Sequence, residues 1–257
     1  MFGTLLIVML GLASLRVWVE IARRRRRGEP ALDPAPQRPS PWLPFASLVA
    51  GVYVCLSGLT RADPSETVDI SLVQQALGFG LMEILIALTF LTGGFQARLA
   101  DVGLGLTGFP RQVTDGSFAF LASFGPVMLV LVATSWLRTD ETLHPYLKLL
   151  REDSSLMAFG WIMLAAVVIA PVREELLFRV MLQDGLARRI GAAPAIGIVA
   201  VLFCLVHGFP DSLALLPLAL ILGYVYQQRQ SALSVIVTHA LFNLTNLAIL
   251  LLGGSET

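Results

Sequence analysis

Ionisable side chains inside apolar runs are the ones placed to do chemistry, because burying them in a membrane-like interior is costly unless they serve a purpose. The densest group is PVREELLFR at 171–179, which follows an uncharged stretch at 161–170. Glu175 and Arg179 are four residues apart, so on a helix they can pair. Glu174 is offset from Glu175 by about 100° and can face a different neighbour. Pro171, where the charged turn begins, is positioned to open or kink the helix. A second group is FCLVH at 203–207, where His207 ends an apolar run. A third is HALFN at 239–243, which sets His239 and Asn243 on one helical face among Leu, Val and Ile.

Each group alone has a plainer reading. The charged turn can be a helix leaving the membrane, His207 a core histidine satisfied by a backbone carbonyl, and His239 with Asn243 hydrogen-bonding glue between helices. Their joint occurrence carries more. A carboxylate and an imidazole can hold and deprotonate a water between them. A second imidazole and an amide can donate hydrogen bonds to a developing oxyanion. Those parts suffice for amide hydrolysis without a serine or cysteine nucleophile. The chain has no HExxH pair for zinc, although two histidines and a glutamate could supply three ligands. The expectation is a site with no cofactor and no metal, with zinc as the alternative.

Other intramembrane polar residues suggest structural roles. Glu83 stands alone in an apolar run, where interhelical pairing or a neutral carboxyl would make it tolerable. Arg16 and Glu20 are four apart and can pair. His144 falls in a loop.

The elements that must hold these residues are apolar helices. Of 257 residues, 56% are hydrophobic and only 14% charged, against about a quarter charged in a soluble domain. A bilayer span takes about 20 apolar residues. Runs of that kind occupy Phe2–Ala22, Trp42–Thr60, Ser71–Thr92, Ser117–Leu137, Leu156 onward through Pro171, Ala192–Phe209, Ser212–Gln227 and Ser231–Leu252. The expectation is an all-α, polytopic transmembrane bundle of about eight helices, seven or nine being allowed by the short sixth and seventh.

Positive loops stay cytoplasmic. The run Arg23 to Arg27 directly follows the first helix, which puts the N-terminus outside. Alternation then places Arg38, Arg98, Arg111, Arg188, Arg189 and Arg229 inside, and Arg61, Arg138, Lys148 and Arg151 outside. The first helix carries its positive charge after the apolar run, the reverse of a signal peptide. Residues 28–41, with five prolines, read as an extended or disordered linker. The arginine run suits anionic headgroups, and positive-inside topology explains it without nucleic acid. Cys55 and Cys204 both lie in apolar runs and read as buried thiols.

The motifs resemble those of the CPBP intramembrane proteases, which include the type II CAAX prenyl endopeptidases and Abi-like bacteriocin-processing or immunity proteins. Glu174, Glu175 and Arg179 match EExxxR, Phe203 and His207 match FxxxH, and His239 and Asn243 match HxxxN. The resemblance covers about 156–250. It implies that Glu174 and His207 activate water, that His239 and Asn243 form the oxyanion hole, and that Glu175, Arg179 and Phe203 support the site. Where many members have Gly after the motif arginine, this chain has Val180.

The chain thus divides into an anchor helix with its basic run (1–27), a Pro-rich linker (28–41), the first part of the bundle (42–155) and a protease core (156–252). The function expected is an intramembrane endopeptidase in the inner or plasma membrane, reached from the cytoplasmic side because the glutamates read as lying near that end of the fifth helix. Its partners would be the bilayer and a peptide or protein substrate, prenylated in the CAAX branch of the family. Substrate identity and oligomeric state are not legible. Two rivals predict other behaviour: a non-catalytic immunity or scaffold protein, and a small transporter, the latter disfavoured by the lack of an internal repeat.

Overall fold

A computed structural model describes residues 2–38, 46–53, 69–94, 97–138, 145–153 and 155–253. The described residues contain no strand and form nine helices: α1 (Phe2–Arg26), α2 (46–53), α3 (Ile70–Gly94), α4 (Phe109–Ala133), α5 (Pro145–Glu152), α6 (Leu156–Ile190), α7 (Ala192–His207), α8 (Asp211–Arg229) and α9 (Ala232–Gly253). Among them α1, α3, α4, α6 and α9 are long and apolar enough to cross a membrane. The protein is an all-α, multi-pass integral membrane protein. Most of the expected span Trp42–Thr60 lies outside the described residues, as do Arg61, His144 and Cys55.

Local chemistry sets several helix ends. Asp69 caps α3 by accepting from the Leu72 N–H at 2.9 Å, which holds its carboxyl below the usual carboxylate range. Ser155 caps α6 through the Ala158 N–H at 3.1 Å. Gly191 and Gly208 close α6 and α7 at φ 89° and 84°, backbone angles that glycine adopts without steric cost.

α4 lies at the centre, packed against α1, α8 and α9, while α7 packs on α8. Gly116 makes the α4–α9 approach possible, since a Cβ there would sit 2.6 Å from the Ser234 carbonyl oxygen. Thr238 Oγ1 then reaches the Gly116 carbonyl at 3.0 Å. That contact fixes the rotation of α9 one residue before His239.

Two expectations are corrected. The loop expected around 138–155 contains α5, an amphipathic helix that buries Leu149 and Leu150; its i, i+1, i+4 apolar spacing is too short to signal a span. Glu20 pairs with Arg24 at 3.5 Å and Arg27 at 3.6 Å rather than with Arg16, because those residues lie further along its own face. The described part of the linker is extended, one of the two states expected for it, and it is tied down. Ala35 N–H donates to Gln228 O at 2.7 Å, Arg229 donates to Asp33 O at 2.7 Å, and Arg38 donates to Ala100 O. This strap binds the ends of α1, α8 and the 97–108 loop into one basic face.

Candidate active site

α6 is not a regular helix. It is π-helical over Leu164–Ile169 and again over Leu176–Gln183. In the first of these segments the Ala170 N–H bonds five residues back to Ala165 O. The next donor in that series would be Pro171, which has no N–H. Its partner, Ala166 O, instead accepts from Asn243 Nδ2 at 2.7 Å. The proline therefore opens a carbonyl on α6, and α9 docks onto it through Asn243. π-bulges of this kind are frequent at functional sites.

Just beyond this point the two glutamates diverge. Glu175 and Arg179 have wholly buried side chains, 0% exposed, and meet at 3.2 Å. Charges leaving a membrane would be solvated, so the plain helix-end reading fails. The other oxygen of Glu175 lies 2.8 Å from His239 Nδ1. Arg179 also reaches Ala219 O on α8 at 3.5 Å and lies over the Phe203 ring, 4.6 Å from its centroid.

Glu174 points elsewhere, with 12% of its side chain exposed. Its Oε2 lies 3.5 Å from His207 Nε2 and 3.9 Å from His239 Nε2. Among the described residues nothing donates a hydrogen bond to that oxygen. His207 Nδ1 lies 2.6 Å from Phe203 O. A carbonyl can only accept, so Nδ1 carries a proton, and in a neutral ring Nε2 presents its lone pair toward Glu174. Two acceptors facing each other call for a shared proton, or for a water that donates to both.

Phe203 explains its place in the FxxxH spacing. Its ring is fully buried and contacts His207 at 4.4 Å and His239 at 5.8 Å between centroids, while its carbonyl orients His207. Phe178 packs edge-on against it at 5.2 Å. The structure thus brings together every residue singled out from the motifs. Val180, buried in the second π segment, packs into the core without displacing them.

Sequence reasoning gave no site role to a further set of residues. Arg173 donates to Glu174 Oε1 at 3.2 Å and lies 3.6 Å from Glu83 Oε2, and the other Glu83 oxygen accepts from Tyr53 OH at 2.6 Å. Glu83 is therefore paired between helices, one of the two states expected for it. Its presence in an apolar run was the signal that a partner lay nearby.

Glu174, His207, His239 and Asn243 line one cavity of about 450 Å³. Its other walls are largely apolar, with Val127, Leu131, Phe242 and Leu247, and Arg138, Asp211 and Tyr146 add polar groups. Among the described residues no group of three or more His, Cys, Asp or Glu is arranged to hold a metal ion. The glutamates do not stand near the arginine-rich end of their helix. α6 runs unbroken for 35 residues to Ile190, so Glu174 falls near its middle. The π segments and the late stop at Gly191 extend the helix well past the charged turn.

Residues 156–245 match the family model for type II CAAX prenyl endopeptidase Rce1-like proteins. The match contains all three motifs and leaves the first 155 residues outside it. The similarity read from the motifs is therefore found over this segment, a little over a third of the chain. No curated protein and no solved structure matches the chain.

Proposed function

We propose that the protein is an intramembrane endopeptidase in which Glu174 and His207 activate a water. The observation that carries this is the 3.5 Å approach of Glu174 Oε2 and His207 Nε2, at a wall of a cavity that His239 and Asn243 also line. Glu174, as the carboxylate, accepts the proton that the water loses on attacking the scissile carbonyl. His207 Nε2 accepts the water's other hydrogen and orients it.

His239 and Asn243 stabilise the oxyanion. Asn243 uses one amide hydrogen on Ala166 O and keeps the other for the substrate. His239 is held at Nδ1 by Glu175, and donating from Nε2 as well requires the ring to carry both protons. The proton on Glu174 then passes to the leaving amine. No step runs through a metal. The apolar walls suit an apolar peptide segment, and a prenylated C-terminal peptide, the substrate class in the family's name, belongs among those assayed.

The test is cleavage of a mixed peptide library, prenylated members included, by purified wild type and Glu174→Gln in detergent, with and without a chelator. The expected result is cleavage that the substitution abolishes and the chelator spares. Chelator-sensitive cleavage would move the chemistry to a metal. Cleavage that survives in Glu174→Gln would remove Glu174 from its role, and cleavage by neither protein would favour a non-catalytic scaffold that retains the motifs.

A further inference from the structure

We infer that the cavity is reached from the face of the bundle opposite the arginine-rich one, so that the peptide it takes is presented on the non-cytoplasmic side of the membrane. The substrate half of this rests on the protease reading above; the access half rests on geometry and charge alone.

The basic face gathers the end of α1 with Arg23 to Arg27, the strap at 28–38, the loop carrying Arg98, the start of α4, the end of α6 with Arg188 and Arg189, and the end of α8 with Arg229. It is tied shut by side chains. Arg229 meets Asp115 at 2.6 Å, Ser231 donates to Gln112 at 2.6 Å, and Arg188 donates to Arg38 O at 2.5 Å. Deeper in, Gln183 donates to Gly223 O at 2.9 Å between α6 and α8, with both residues buried. These contacts separate Glu174 from the basic face.

The cavity extends the other way. From α4 it takes Val127 and Leu131, in the last turns of a helix that began at the basic face. From α8 it takes Asp211 and Ala214, in the first turn of a helix that ends there. His207 is the last residue of α7, and α9 contributes from His239 onward to Leu250. Each of these helices thus lines the cavity with its middle or with its end remote from the arginines. At the far rim Arg138 and Asp211 pair at 3.2 Å with side chains 24% and 43% exposed, and Tyr146 of α5 lines the same end. Positive loops are retained in the cytoplasm, which puts this rim on the other side. The expectation of cytoplasmic access rested on glutamates near the arginine-rich end of α6, whereas Glu174 falls near its middle.

The test uses single cysteines in a Cys55→Ser, Cys204→Ser background, labelled on intact cells with a membrane-impermeant maleimide. Glu152→Cys marks the rim face, Arg189→Cys the basic face and Asn246→Cys the cavity. Labelling of Glu152→Cys and Asn246→Cys in intact cells, with Arg189→Cys labelled only after permeabilisation, is the expected result. Arg189→Cys labelled in intact cells would overturn the orientation. Asn246→Cys labelled only after permeabilisation, or from neither side, would overturn the access route. Labelling requires no cleavage, so a failed protease reading and a failed access reading give different results.

Discussion

Glu175 places one carboxylate oxygen 2.8 Å from His239 Nδ1 and the other 3.2 Å from Arg179 Nε. A single carboxylate thus joins α9 to the interior of α6, and its own charge is balanced within the same helix. The arrangement separates stability from chemistry in a way that mutation can resolve.

Arg179→Met leaves Glu175 buried without its cation, and removing one partner of a buried pair costs about 3–5 kcal/mol. Replacing both, as Glu175→Leu with Arg179→Met, is expected to restore most of that loss, because an apolar pair needs no compensation. Cleavage should stay low in the double variant, since His239 has lost the group that orients it. Thermal unfolding in detergent and a cleavage rate decide the matter, and wild-type cleavage by the double variant would refute the positioning role.

Pro171→Ala supplies the N–H that α6 lacks. The new donor would compete with Asn243 for Ala166 O. We expect an unchanged or raised melting temperature together with slower turnover, the reverse of ordinary damage to a core. Turnover equal to wild type would show that the docking of Asn243 on Ala166 does not set the site.

Gly116→Ala tests the α4–α9 approach. Its Cβ would meet Ser234 O at 2.6 Å and Val237 at 2.8 Å. Overpacking of this kind typically costs about 1–3 kcal/mol, and here it should also lower cleavage by turning α9. Gly78→Ala is the matched control, because nothing lies within 4 Å of its Cβ position; there the helix should gain roughly 0.5–1 kcal/mol. Equal melting temperatures for the two variants would dispose of the close-packing argument.

Glu83→Gln tests the relay from Tyr53 through Glu83 and Arg173 to Glu174. Interhelical polar contacts in membranes average about 0.6 kcal/mol and reach about 1.7, so the stability loss should be small. The loss of cleavage should exceed that of Tyr53→Phe, because Arg173 sits between Glu83 and Glu174. The opposite order would place the relay outside the site's electrostatics.

Much of this was legible in the sequence because apolar length and helical spacing are local properties. Glu175 and Arg179 meet along one helix as their i, i+4 spacing demands. α7 runs from Ala192 to His207 against an expected Ala192–Phe209. What escaped was non-local or irregular. No periodicity announces that α6 changes to π geometry twice, and the partner of a carbonyl freed by Pro171 lies 77 positions away. The short α5 carries too few apolar residues to register as a span, and the depth of Glu174 depended on where α6 stopped.

α7 has 16 residues, roughly 24 Å at about 1.5 Å per residue, whereas the hydrocarbon layer is about 30 Å thick. A helix shorter than the layer is met by local thinning of the bilayer. Because the basic face holds its first residue near the headgroups, the deficit falls at the His207 end. Thinning of this kind would bring the lipid surface toward the rim of the cavity, leaving a polypeptide on the proposed access route less hydrocarbon to cross before its backbone reaches Glu174. If the proposed access route holds, the shortness of one helix lowers the barrier that a substrate meets there.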